Sequence, residues 1–490
     1  MAVSLTKRKA CVIGGSRGKL MFKACLVVLY TLLLVSAKTS HADPNIATAS
    51  SHGIYRKLDA DFSGFSSVFF KHLIAHRRYD TVNDIDRLLQ KASALQGTDN
   101  ALDSVGLILK NYPAVKKHIS SKAIIGIESL LLAENEFETA NSIFKLVKDE
   151  GDPTLITNVQ FIFTKYYYQH GDWQHTIELT ESISNDLPPD ELQHAKFMEG
   201  IALQNQKKHR SAIKSFRKVS ETSPYYTMAQ LNMAVSDFRQ DWWTDAHDII
   251  NRLLKNPEIT RNTELADRLH TIIGYSFLQL EYFRNSRNAF RNVSLNSNYT
   301  NKALIGIALD AAYQKDYVGA LNAARILKNK RDSTLEVDEA HLLLPYFYEK
   351  LHQNATASAG YTSAITYYEG RIQALQQAAL YDIDEKLFAG IDSKNPGLLL
   401  NGEVIQLDRT FPPSFFSQLE IMREYGKVVN EINNHTLHKS YAALRNSFNT
   451  AIMDSVKNSL NMKSLYLKDY VNQCRYGLAR LYDNSKSGQK

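Results

Sequence analysis

The chain has 490 residues, 44% hydrophobic and 22% charged, with 58 Lys/Arg against 51 Asp/Glu. That composition is too apolar for a disordered chain, and the length is enough to bury a large core. The charge excess is local: residues 1–42 hold seven Lys/Arg and no acid, so residues 43–490 carry 51 of each sign and no net field to attract nucleic acid or anionic lipid.

The first 42 residues read as an address. Lys7, Arg8, Lys9, Arg17, Lys19 and Lys23 precede a 14-residue apolar run from Ala24 to Ala37, and Ser40-His41-Ala42 places small residues where a signal peptidase reads. A basic leader, a short apolar core and a small-x-small site describe a secretory signal peptide. The run is short of the roughly 20 residues needed to span a bilayer. The expected product is periplasmic or secreted; the alternative is an uncleaved inner-membrane anchor. No later segment is apolar enough to cross a membrane. Within the leader, Gly14-Gly15-Ser16-Arg17-Gly18-Lys19 is similar to a phosphate loop, but Leu20 stands where Ser or Thr should bind magnesium. Cys11 and Cys25 leave with the leader, and Cys474 alone makes neither an intrachain bridge nor a zinc site; it is expected as a buried small hydrophobe.

Residues 43–118 are expected to form an N-terminal helical cap. Asp43 to Gly53 is polar and reads as a lead-in. From Tyr55 to Tyr112, runs such as Ile85, Leu88, Leu89 and Leu102, Val105, Leu109 carry helical spacing. His72 and His76 share a helix face without the Glu a zinc protease needs, and His435 and His438 have no acidic companion, so no metal or cofactor is expected.

From 119 to 371 the chain repeats. Ala140, Thr176, Ala212, Ala246, Ser286, Ala320 and Ala364 follow one another at 36, 36, 34, 40, 34 and 44 residues. A period near 34 with small residues at fixed phase marks stacked helical hairpins, none of which buries its apolar face alone. The clearest copy has Gly200, Ala212, Phe216, Val219 and Pro224; others give Ala234, Ala246, Ile250, Leu253 and Pro257, then Gly274, Ser286, Phe290 and Val293. This resembles the tetratricopeptide repeat. The departures are Glu128 at a close-packing site, a six-residue excess before Ser286, and a stretched seventh copy. The resemblance implies an all-α right-handed superhelical solenoid whose concave groove is lined by the first helix of each hairpin. Carried over position by position, that groove falls on Lys165, Tyr168, Asn205, Phe238, Arg239, Tyr275, Gln279 and Tyr313. Such side chains suit a protein or peptide partner, since amides pair backbone and aromatic rings add area at low entropy cost.

Residues 372–490 are expected as a C-terminal helical region. The last hairpin continues past Tyr367, Ile372, Leu375 and Leu380. A Pro/Gly loop near 392–413 follows, with Pro396-Gly397, Gly402 and Pro412-Pro413. Beyond it, Leu467, Val471, Cys474, Leu478 and Leu481 form a narrow apolar seam. Folding back on the array accounts for that seam; helix pairing with a partner is the alternative.

One fragment suggests catalysis. Ala123-Ile124-Ile125-Gly126-Ile127-Glu128-Ser129 is similar to the Glu-Ser segment of soluble lytic transglycosylases, which are exported all-α superhelices. That family follows the pair with a Gly-Leu-Met-Gln segment, absent from this chain. The reading is therefore a non-enzymatic, exported adaptor or scaffold in a bacterial envelope complex. A peptidoglycan-cleaving enzyme and a self-assembling structural subunit are the alternatives.

Overall fold

A computed structural model describes residues 48–96, 100–330, 334–381 and 388–487. The leader and its phosphate-loop-like fragment lie outside these residues. Four helices come first: α1 (Thr48–His76), α2 (Ile85–Leu95), α3 (Ala101–Lys110) and α4 (Tyr112–Lys117). The helix at Thr48 replaces the lead-in expected as far as Gly53.

Seven hairpins follow: α5 (Ala123–Ala133) with α6 (Phe137–Glu150), α7 (Pro153–Gln169) with α8 (Trp173–Ser182), α9 (Pro189–Asn205) with α10 (His209–Arg217), and α11 (Tyr226–Phe238) with α12 (Trp243–Lys255). A short α13 (Pro257–Arg261) intervenes. Then come α14 (Thr263–Gln279) with α15 (Phe283–Arg291), α16 (Thr300–Tyr313) with α17 (Tyr317–Lys328), and α18 (Leu335–Lys350) with α19 (Asn354–Ala378). Each helix packs on its hairpin partner, and successive hairpins stack. The chain thus forms the tetratricopeptide-like, all-α solenoid that its repeats imply.

What fixes the register is a turn rather than a side chain. Asn135, Gly171, Lys207, Asp241, Glu281, Lys315 and His352 all have left-handed backbone, with φ between 58° and 69°. Each ends a first helix. In every case the next residue's N–H donates to the carbonyl five positions back at 2.8–2.9 Å, from Glu136 to Leu131 through Gln353 to Tyr348. These are Schellman caps, which satisfy carbonyls orphaned at a helix end. Five residues after each cap stands Ala140, Thr176, Ala212, Ala246, Ser286, Ala320 or Ala357, all fully buried.

The seventh anchor is therefore Ala357, not Ala364. Ala364 lies two turns further along the same face and is buried as well, so apolar periodicity does not separate the two. With Ala357 in place the last interval is 37 residues and no copy is stretched. The six-residue excess before Ser286 is α13, whose start is capped by Asn256. Close approach accounts for the small residues in the first helices: a Cβ on Gly200 would overlap the Phe216 ring, and one on Gly274 or Gly306 would overlap Phe290.

The segment expected as a loop contains a β-hairpin, β1 (Gly397–Leu400) and β2 (Glu403–Gln406), paired Leu399↔Val404. Asn401 and Gly402, both at positive φ, make the two-residue turn, the combination that matches strand twist. Leu398, Leu400 and Ile405 are buried, while Leu399 and Val404 face outward. A short 3-10 turn, η1 (Leu407–Arg409), leads to α20 (Pro413–Glu431) and α21 (His435–Ser487).

The 53-residue α21 is about 80 Å long at 1.5 Å per residue. Its first half packs on α1 and α20: Phe448 meets Phe62 edge-on at 6.2 Å, and Ser447 donates to Asp61 at 3.1 Å. Its middle reaches the β-hairpin through Lys463 and Glu403, 2.5 Å apart. Its second half lies on α18 and α19, where Tyr470 packs on Tyr368 and Arg480 pairs with Glu349 at 2.5 Å. One helix thus joins the first helix of the described chain to the last hairpin. The apolar seam with Cys474 at its centre is buried within the chain. Folding back, rather than an exposed pairing face, explains it.

Candidate partner-binding edge

Measured from its left-handed cap, each first helix presents side chains at repeating phases. The position six residues before the cap is occupied by Ile201, Val235, Tyr275, Leu309 and Tyr346, all buried. This phase faces the neighbouring hairpin, so Tyr275 does not line a groove. It is fully enclosed, its hydroxyl donates to the Lys302 carbonyl at 2.7 Å, and its ring meets Phe290 at 4.8 Å. Phe238 is corrected for the same reason: it is 3% exposed and packs on Trp243 and His247. Lys165 shares the Tyr275 phase but is half-buried, with Nζ 4.9 Å from the Phe161 ring. Tyr168 is half-buried against Trp173, and burial pushes its phenol up to about 12.

The other four expected residues share one phase. Asn205, Arg239, Gln279 and Tyr313 each stand two residues before the caps at Lys207, Asp241, Glu281 and Lys315. Arg239 and Gln279 are exposed, and Asn205 and Tyr313 are half-buried. They form a row along the edge where four consecutive first helices end. Asn205 Nδ2 donates to the Ile201 carbonyl at 2.9 Å, which leaves its amide oxygen for a ligand. Tyr313 stacks on Phe283 at 5.9 Å. Arg239 acts on His209 of the preceding hairpin: burial first, then this guanidinium, lowers the imidazole to about 4. The edge is cationic at its centre and amide-bearing on either side.

The C-terminal segment reaches the array at two places, one of them the cap at Gly171, one repeat before the row. Arg409 acts electrostatically on Tyr299 and Lys302, at the start of α16, and Pro412 packs beside Gly171. Tyr299 and Lys302 lie at the opposite end of that helix from Tyr313. Two buried carboxylates and two half-buried cations hold the crossing segment in place. Arg371 pairs with Glu403 at 2.6 Å and with Asp338 at 3.4 Å, Lys463 takes the other Glu403 oxygen, and Tyr367 donates to Asp338 at 2.7 Å.

Glu128, the residue that suggests catalysis, is fully buried in α5, and neither carboxylate oxygen has a hydrogen-bond partner among the described residues. Burial raises its pKa well above the usual carboxylate range. A sugar has no path to it. Its neighbour Ser129 points outward, so the pair presents no joint site.

No family model matches the sequence, and no curated protein matches it. Among solved structures, the chain is similar to the apo form of RapI, at 12% identity over 75% of this chain and 98% of that one, with a TM-score of 0.40. It is also similar to the APC/C hetero-tetramer Cut9–Hcn1, at 14% identity over 88% and 74%, with a TM-score of 0.28. A third is the TPR domain of P58(IPK), at 12% identity over 75% and 99%, with a TM-score of 0.19.

Proposed function

We propose that this chain is an exported, periplasmic adaptor of tetratricopeptide type that holds an extended segment of a protein partner within a bacterial envelope complex. The observation that carries the reading is the row Asn205, Arg239, Gln279 and Tyr313: one exposed or half-exposed side chain per repeat, at one phase, across four stacked hairpins. Packed helices lie about 8–10 Å apart, and an extended chain rises about 3.3 Å per residue. A partner strand along this edge would therefore meet a new amide, guanidinium or phenol at about every third residue. The enclosure of Glu128 favours this over a peptidoglycan-cleaving enzyme.

The export half rests on the leader. Intact-mass analysis is expected to find the N-terminus at or near Asp43; retained Met1 with detergent-dependent extraction would favour the anchor. The partner half is tested by a photo-crosslinking residue placed at 279, or at 57 on α1 as a control, in the producing cell. A discrete adduct from 279, absent from 57 and lost on Arg239→Ala, supports the reading. Adducts from 57 alone would remove the binding site from this edge.

A further inference from the structure

The balanced charge of residues 43–490 hides a strong segregation. Residues 207–330 carry 19 Lys/Arg against 11 Asp/Glu, and three of those acids, Asp237, Asp267 and Asp310, are buried. The surface of this stretch is therefore more basic than its sequence, and the rest of residues 43–490 carries the matching acidic excess. Much of the basic excess lies on second helices, away from the edge described above.

Three arginines on second helices stand at one phase, and a fourth stands one residue off it on the second helix between them. Arg217, Arg291 and Arg325 come ten residues after the caps at Lys207, Glu281 and Lys315, and Arg252 comes eleven after Asp241. All four are exposed, and none is in an ion pair among the described residues. Their neighbours are modest: Arg325 donates to the Tyr348 hydroxyl, and Arg217 lies within electrostatic reach of the buried Asp237. The row is bounded. Ten residues after the preceding cap, Gly171, stands Glu181; ten after the following one, His352, stands Thr362.

We propose that this outer ridge binds an extended acidic segment of a partner protein, one carboxylate per repeat, through Arg217, Arg252, Arg291 and Arg325. Guanidinium at every rung favours planar carboxylate, which its fork meets with two parallel hydrogen bonds. A flexible acidic strand can follow a curved ridge, whereas a flat bilayer touches such a ridge only along its crest. Consecutive second helices pack on the first helix between them rather than closely on one another, so successive guanidinium groups are more than one strand residue apart and the matching acidic residues are spaced rather than contiguous. The edge at Arg239 does not take part.

Fluorescence anisotropy at low salt tests this on the full mature chain. One labelled peptide of about twelve residues repeats Glu-Ser-Gly, and a second has the same composition with its glutamates contiguous. The spaced peptide is expected to bind about tenfold more tightly than the clustered one, and Arg252→Gln with Arg291→Gln to weaken it by about tenfold without changing Tm. Arg56→Gln with Lys57→Gln on α1, and Arg239→Ala with Gln279→Ala on the edge, are expected to leave it unchanged. Equal binding of the two peptides, or equal loss in the α1 pair, would overturn the ladder. Loss in the edge pair would place acidic binding at the edge and also overturn it. Binding to phosphatidylglycerol vesicles but to neither peptide would make the ligand a lipid and overturn the assignment to protein.

Discussion

The repeat array and the C-terminal closure solve the same problem by opposite means. In the array, contacts are local: a left-handed cap, a small residue five positions on, and a ring such as Phe216 filling the space beside Gly200. Every hairpin repeats the cap and the small residue, and an ion pair on a buried acid, Arg287 with Asp310, is an addition to that pattern. The closure is made once, by residues far apart in sequence. Tyr425 donates to Ser66, 359 positions away, and Arg480 pairs with Glu349 across 131. It relies on buried charges because geometry that does not repeat is specified by directional groups rather than by shape alone. Steric fit sets the repeat, and paired charge sets the place where the ends are joined.

The largest expected effect lies in the closure. Arg371→Met removes the cation between Asp338 and Glu403 and leaves buried carboxylates short of a partner, which costs about 3–5 kcal/mol. Denaturant unfolding measures it, and a loss as small as that of an exposed surface pair would mean the network does not hold the segment. In the array, Ala212→Leu overpacks a fully buried site at a cost of about 1–3 kcal/mol. Lys214→Leu, exposed on the same helix, is the control expected to melt like the parent. If the two melt alike, the repeat register is wrong.

Glu128 is the array position that departs from steric logic. Burial raises its carboxyl well above the ordinary carboxylate range, whereas in the unfolded chain it ionises near the ordinary value of about 4.3. As pH rises above that value the unfolded chain gives up a proton that the folded chain keeps, so this group lowers stability with rising pH. Glu128→Met is expected to stabilise the protein at neutral pH by about 2 kcal/mol, with the gain shrinking near pH 4. A gain independent of pH would contradict an ionisation effect. The smallest effect concerns the caps. Lys207 holds left-handed backbone at φ 61°, which a side chain disfavours, so Lys207→Gly is expected to raise stability by about 0.5–1 kcal/mol despite glycine's entropy. Gly171→Ala is expected to do the reverse, and calorimetry on the pair sets the sign.

These regions also differ in how far they can be read from sequence. Ala140 through Ala320 are legible because a steric requirement for smallness leaves a mark at fixed spacing. The caps are not: Asn135, Lys207, Asp241, Glu281, Lys315 and His352 occupy positions where glycine would have flagged the turn, and Gly171 is the exception. Without the caps, Ala364 and Ala357 are indistinguishable. Tyr275 and Phe238 mislead because a polar or aromatic residue on a first helix serves a groove or a core equally well, and here the stack encloses both. Asn205, Arg239, Gln279 and Tyr313 could be found because they are polar or amphipathic at one phase. The β-hairpin had its own signal in Asn401-Gly402, flanked by Leu398, Leu400, Val404 and Ile405, which the surrounding prolines obscure. The closure is illegible in principle to local periodicity, since Glu403, Arg371, Asp338 and Lys463 come from four separate segments.

The central claim is that α21 bridges the two ends of a single array, and paired cysteines test it most directly. In a Cys474→Ala background, Asp61→Cys with Ser447→Cys spans α1 and α21, and Glu369→Cys with Arg475→Cys spans α19 and α21, at contacts of 3.1 and 3.0 Å between the native side chains. Both pairs, introduced together, are expected to be joined within one chain by a short bis-maleimide cross-linker, which spans side chains whose native tips touch, seen as two intramolecular links by mass spectrometry of the monomer. Linkage of one pair without the other, or links formed only between chains, would show that the helix does not join the ends.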